Sequence, residues 1–283
     1  MDGIVFIDKD INYTSKDITM MVGKKFGTTK VGHVGTLDPF ASGLLMVMVN
    51  KATKTLICFE DFSKTYVATI KLGEYKDSMD ITGNTVKTMD VPSFSKEEIE
   101  KALLSFMGKS MQTVPLTSAV HVNGKRLYEY AHKGKTIELP TREIEVFGIE
   151  LINYNGDEIT FNVCVSKGTY IRVLGSDIAK KLGTVGYLKE LRRISTGPFN
   201  VSEAVKIGDL KEENVKSTTE VLSRFIRTVS VNTQEALDIK NGKIKTYPLE
   251  ATTDKLLVID EYDNPIALYT NIDNQYIFRR GLF

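Results

Sequence analysis

The sequence predicts an α+β protein: a mixed, mainly antiparallel sheet flanked by helices and loops, followed by a small C-terminal β domain. Three observations carry this. Tyr66 to Gly73 and Glu158 to Ser166 alternate apolar and polar residues, the pattern of half-buried strands. Ser95 to Met107 and Ile171 to Gly183 instead repeat their apolar residues at helical spacing, and no regular βαβ period links the two kinds of segment. After about Val229 the chain breaks into short strands, with turns at Asp263-Asn264-Pro265 and Asp273-Asn274-Gln275.

In chain order, Gly3 to Asp8 reads as a short buried strand, and Asp10 to Ser15 as a turn. Leu44 to Val49 is an apolar run of strand length. In the next strand Tyr66, Ala68, Ile70 and Leu72 share one face, with Val67, Thr69 and Lys71 on the other. Ser95 and Glu98 form a capping box, Ile99, Ala102, Leu103 and Phe106 make a stripe, and Gly108 follows the last turn. Ile159, Phe161, Val163 and Val165 face one way, and Lys167-Gly168 leads into a helix carrying Ile171, Leu174, Ile178 and Leu182. Lys206 to Thr219 is a polar surface connection. The expected division is 1–228 and 229–283.

Composition frames the function. At 283 residues, with 42% hydrophobic and 26% charged content, the chain can bury a large core. No apolar run approaches the ~20 residues of a membrane span, and no secretory signal is visible at Met1-Asp2-Gly3. Cys58 and Cys164 are the only cysteines, which argues against a disulfide framework or a zinc site and for a reducing cytoplasm. His33, His121 and His132 are too scattered for a metal centre. Net charge is only +1, yet residues 167–193 carry seven basic against two acidic side chains, and 121–142 five against two. Such segregation suits a face for phosphates.

One run is far more specific. Gly32-His33-Val34-Gly35-Thr36-Leu37-Asp38-Pro39-Phe40-Ala41-Ser42-Gly43-Leu44-Leu45 sets one carboxylate, Asp38, in a glycine-rich turn ahead of an apolar strand. Taken alone, Asp38 reads as a turn or capping residue. The whole run, however, resembles the G-H-x-G-T-L-D-P-x-A-x-G-x-L signature of the bacterial tRNA pseudouridine-55 synthases, the TruB-type pseudouridine synthase family. That resemblance implies a pseudouridine-synthase fold with Asp38 as the essential catalytic residue, and a PUA-like C-terminal domain.

The resemblance extends with gaps to about Arg193. Lys64-Thr65-Tyr66, with Leu72-Gly73 and Asp80 to Gly83, is similar to the family's second block, and implies that Tyr66 stacks on the target base. Val163 to Arg172 is similar to the third, and implies that Tyr170 contacts the nucleotide and Arg172 pairs with the aspartate. Leu188 to Arg193 is similar to the last, whose leucine, here Leu191, packs on the uracil. His33 would fill the space the base vacates or contact its neighbours. Without the resemblance, Tyr66 and Leu191 are core residues, Arg172 a solvated helix residue and His33 a turn residue.

Residues of about 112–142, including Ser118 to Tyr130, interleave basic and aromatic side chains and resemble the family's mobile loop that closes on the tRNA T-arm. The pattern alone equally describes an exposed hairpin and short helix. Lys64, Lys125, Arg126, Lys167, Lys189, Arg192 and Arg193 are the candidate RNA-backbone contacts. Departures from the family pattern are Asp10 and Asn12 for Pro and Gly, Val114 and Thr117 for Pro and an aromatic, and Val34 for Thr. Asn tolerates the left-handed region, so the first turn is expected to persist.

The implied reaction breaks the C1′–N1 bond of uridine, turns the base and rejoins it through C5. It requires no metal and no cofactor. The nucleotide must be flipped out of its stack, which costs a few kcal/mol, partly offset by roughly 1–3 kcal/mol of stacking on an aromatic ring. One carboxylate serves either as nucleophile or as base removing the 2′ proton, and Arg172 would favour its charged form. The expected partner is the tRNA T-arm; no membrane and no obligatory protein partner is implied, and a monomer is expected. The rival readings are a sister synthase acting on another RNA uridine and a non-catalytic tRNA-binding or folding factor.

Overall fold

The computed structural model covers residues 1–283 and describes all of them except 119, 123, 132–136, 244–245 and 248–252. Along the chain the elements are β1 (Gly3–Lys9), α1 (Ser15–Lys25), β2 (Val31–Val34), β3 (Ser42–Val49), β4 (Lys64–Leu72), β5 (Glu74–Lys76) and β6 (Thr85–Thr88). There follow α2 (Lys96–Leu104), β7 (Gly108–Thr113), β8 (His121–Val122), β9 (Lys125–Arg126), α3 (Leu127–Ala131), β10 (Thr141–Tyr154), β11 (Glu158–Val165) and α4 (Ile171–Lys181). The last elements are β12 (Gly186–Thr196), β13 (Phe199–Asn200), α5 (Thr218–Leu222), β14 (Arg227–Ser230), α6 (Thr233–Lys240), β15 (Lys255–Ile259), β16 (Pro265–Ile272) and β17 (Gln275–Gly281).

Contacts group the chain into two compact units. The first holds Met1–Pro39, Gly43–Glu60 and Pro198–Phe283, the second Phe40–Ser42 and Asp61–Gly197.

In the first unit β1 runs antiparallel to β3, from Gly3↔Val49 to Lys9↔Gly43, and β2 pairs with β3 antiparallel. Both β1 and β3 are almost wholly buried, as their unbroken apolar runs require. Phe199 gathers Phe6, Phe59 and Phe225 around it, with ring centroids 5.2–6.3 Å away. The C-terminal strands form a mixed sheet in which β14 lies parallel to β15, while β15, β16 and β17 are antiparallel. Its core is Leu256, Val258, Ala267, Tyr269 and Tyr276 under Ala236 and Ile239 of α6. The expected turns hold, with Asp263, Asp273 and Asn274 at positive φ.

In the second unit the sheet order is β12-β4-β11-β10-β7, each pair antiparallel. The alternation read in β4 and β11 is observed: Tyr66, Ala68, Ile70 and Leu72 are buried, as are Ile159, Phe161, Val163 and Val165. Helix α4 packs on the Ile70 side of β4 and β12. A Cβ at Gly175 would lie only 3.3 Å from Ile70, so glycine there permits the close approach. Helix α2 has its Ser95–Glu98 capping box, and α4 ends before Gly183 at φ +80°.

Several elements differ from the sequence reading. Helix α1 starts at Ser15, the last residue of the stretch read as a turn, and runs on to Lys25, nucleated by a Thr14–Asp17 capping box. Strand β10 is 14 residues long, and its bulges at Val146/Gly148 and Leu151/Asn153 break the alternation that would reveal it. Helix α6 has no counterpart in the sequence reading, because it buries only Ala236 and Ile239.

Candidate active site

The first unit positions Asp38 through its neighbours. Strand β2 delivers His33, Gly35 turns the chain at φ +65°, and Leu37, Asp38 and Pro39 come next. Ser15 Oγ accepts the Leu37 N–H at 2.9 Å and donates back to the Leu37 carbonyl at 3.1 Å. On the other flank, the Pro39 carbonyl accepts the Asn12 N–H at 2.8 Å and the Lys9 ammonium at 3.4 Å. Lys9 is fully buried, and its Nζ also donates to the carbonyls of Tyr13 at 2.7 Å and Asp10 at 3.0 Å. A buried ammonium is tolerable here because carbonyl oxygens take its donors. Asn12 sits at φ +70°, so the expected left-handed turn is present without glycine. Asp38 itself is half-buried, and His33 Nε2 lies 3.3 Å from Thr36 Oγ1. The backbone on both sides of the carboxylate is thus pinned, which is what a preorganised reactive group needs.

The second unit holds Tyr66, Tyr170, Arg172 and Leu191. Tyr66 on β4 faces Val163 of β11 and Arg193 of β12 across the register, and Leu191 faces Ala68. Tyr66, Leu191 and Arg193 therefore share one face of the sheet, the face on which α4 packs, and all three are buried.

Tyr170 is the N-cap of α4. The buried Gln112 side chain grips its backbone from both sides: Gln112 Oε1 accepts the Tyr170 N–H at 2.8 Å, and Gln112 Nε2 donates to its carbonyl at 3.1 Å. The Arg142 guanidinium lies 5.6 Å from the Tyr170 ring centre.

Arg172, one residue into the helix, is 4% exposed rather than solvated. Its Nη1 donates to Thr117 Oγ1 at 2.7 Å and the Ser78 carbonyl at 3.0 Å, and lies 3.4 Å from the buried Asp80 Oδ2. Asp80 is itself held by Ser78 Oγ at 2.8 Å and by the N–H and hydroxyl of Thr82. Gln112 and Asp80 fall inside stretches that the sequence singles out, but nothing local distinguishes them from surface polar residues.

Among the candidate RNA contacts, Lys125 is exposed on β9, Lys167 pairs with Asp61, Lys189 pairs with Glu158 at 2.7 Å, and Arg192 reaches Ser42 Oγ at 3.4 Å. Lys64 is half-buried, and burial, reinforced by Arg193 and Lys167, pushes its pKa down to about 8. The 112–142 segment shows the hairpin β8–β9 and short α3; residues 119, 123 and 132–136, with His132 among them, and the Arg126 side chain lie outside the described residues.

Among the described residues no group of three or more His, Cys, Asp or Glu could hold a metal ion, and no helix is long and apolar enough to cross a membrane. An open groove of about 740 Å³ at the end of α1, lined by Met20, Lys24, Thr28, Lys30 and Asn50, contains none of the candidate site residues.

The chain is similar to known proteins over most of its length. The model of the TruB family pseudouridylate synthase N-terminal domain matches residues 23–171, and that of the tRNA pseudouridylate synthase B C-terminal domain matches residues 172–231. A protein named tRNA pseudouridine synthase B from Francisella tularensis subsp. tularensis is 40% identical over 231 residues, 80% of this chain and 76% of that one. Its namesake from Caldicellulosiruptor saccharolyticus is 43% identical over 215 residues, 76% of this chain and 74% of that one. The crystal structure of a Cbf5-Nop10-Gar1 complex shares the fold, with a TM-score of 0.75 over 99% of this chain and 85% of that chain at 23% identity. With the pinned Asp38 turn lying inside the matched stretch, and the matches spanning most of its length, the chain belongs to the TruB family of pseudouridylate synthases.

Proposed function

We propose that this enzyme converts uridine 55 in the T-loop of tRNA to pseudouridine, with Asp38 as its catalytic carboxylate. The observation that carries the assignment is the double pinning of Leu37 and Pro39, which holds one half-buried carboxylate between two fixed peptide units. The flipped uracil stacks on Tyr66, with Tyr170 and Leu191 closing an apolar wall that lets a detached base rotate without escaping. Arg172 and His33 are further substrate-binding residues, with His33 filling the space the base vacates or contacting its neighbours.

Lys64, Lys125, Arg126, Lys167, Lys189 and Arg192 supply positive charge toward the T-arm, whereas Arg193, expected from the sequence to join them, is fully buried and does not reach the RNA backbone. Residues 1–228 act as the catalytic part and 229–283 as a small PUA-like RNA-binding part, a division supported by the separate core of the C-terminal sheet. The enzyme works in the cytoplasm as a monomer, without a protein partner.

Incubation with an unmodified tRNA transcript, followed by mapping of pseudouridine, tests the reading. Product at position 55 with wild-type protein, and none with a folded Asp38→Asn variant that still binds tRNA, is the expected result. Asn is nearly isosteric but is neither base nor nucleophile. Product at other positions only, or turnover by Asp38→Asn, overturns it.

A further inference from the structure

The turn that holds the Asp38 loop is itself tied down from a distant part of the chain. Residue Val205 is laid along β1: its N–H donates to the Phe6 carbonyl at 3.0 Å, and its own carbonyl accepts the Asp8 N–H at 2.9 Å. The next residue, Lys206, therefore sits beside the end of β1. Its Nζ lies 3.0 Å from Asp8 Oδ2 and 2.6 Å from Asp10 Oδ1. One ammonium thus bridges two carboxylates that flank the start of the turn, and the Asp8 carboxylate is only 15% exposed. Burial opposes the charge on Lys206, but the hydrogen bonds to Asp10 and Asp8 outweigh it and raise its pKa.

From Asp10 the path to the reacting group is short. The Asp10 carbonyl takes a hydrogen bond from Lys9, and two residues later the Asn12 N–H binds the carbonyl of Pro39, the residue after Asp38. We propose that Lys206 is a positioning residue: by bridging Asp8 and Asp10 it fixes the 10–13 turn and, through Pro39, the place of the Asp38 carboxylate. It touches neither substrate nor carboxylate.

An exposed ion pair adds little to stability in general. Its value here is geometric, because small misplacements of a reactive group are expensive in rate. The inference rests on Asp38 being the catalytic group.

The test measures single-turnover pseudouridine formation at saturating tRNA, together with tRNA affinity, for Lys206→Met, Lys206→Arg, Asp10→Asn and the Lys206→Met/Asp10→Asn double variant. Lys206→Met and Asp10→Asn should each slow the saturated rate about 10-fold while tRNA Kd stays within about twofold. Lys206→Arg should restore most of the rate, and the double variant should be no slower than either single one. A merely structural staple would lower Tm and leave the saturated rate intact. That result, a loss confined to affinity, or multiplicative losses in the double variant would overturn the proposal. Turnover by Asp38→Asn would instead sink the underlying site assignment, whereas an inactive Asp38→Asn beside a full-rate Lys206→Met refutes the positioning role alone.

Discussion

The Arg172 guanidinium and the Asp80 carboxylate meet inside the second unit, 3.4 Å apart, with their side chains 4% and 6% exposed. Arg172 has one residue of helix before it and Asp80 lies in the loop after β5, so the contact ties the start of α4 to that loop. Asp80→Asn should destabilise the protein by about 3 kcal/mol, since removing one partner leaves a buried charge poorly compensated. It should also reduce pseudouridine formation, because Arg172 would lose a fixed orientation. Denaturant unfolding and product mapping on the same preparation check both effects, and wild-type stability in Asp80→Asn would refute the first.

Gln112 should matter out of proportion to its place on an edge strand. Replacing it by Leu removes both hydrogen bonds to the Tyr170 backbone while roughly preserving volume. The Tyr170 N–H would lose its acceptor, at a cost of about 1–3 kcal/mol, while the Tyr170 carbonyl keeps the Leu174 N–H at 3.1 Å. Turnover should fall as well if Tyr170 contacts the nucleotide. Unchanged Tm and rate in Gln112→Leu would show that the clamp carries neither role.

Charge reversal at Lys125 and Arg126 should weaken tRNA binding and flatten its salt dependence. Each lost phosphate contact lowers the slope of log K against log salt by about 0.7–0.9. Filter binding across a salt series reads this directly, and an unchanged slope would place the RNA on another face.

Lys64 makes stability depend on pH in a defined window. Its folded pKa is about 8 against an ordinary lysine value of 10.5, so its protonated form is disfavoured by folding. That destabilisation is complete below pH 8 and is relieved as pH rises from about 8 toward 10.5. Relative to Lys64→Met, the wild-type protein should therefore gain at least ~1 kcal/mol of unfolding free energy between about pH 7 and 9.5. Parallel curves for the two proteins would contradict the lowered pKa.

Much of the architecture is written locally. The buried faces of β4 and β11, the capping box of α2, the α4 stripe and the turns at Asp263 and Asp273 each follow from a period or a dihedral preference within a dozen residues. The Asp38 motif is legible as a run of consecutive residues, but Ser15, Asn12 and Lys9, from well before it in the chain, pin its turn. Tertiary structure decided what no period encodes. Bulges hide β10, and the parallel pairing of β14 with β15 depends on elements folded around them. The burial of Lys9, Asp80, Gln112, Arg172 and Arg193 is likewise not legible, since a polar side chain reads as surface until its partners arrive from elsewhere in the chain. Hydrogen bonding makes such burial tolerable, and those bonds exist only once the fold has brought Pro39 to Lys9, Thr117 to Arg172 and Tyr170 to Gln112.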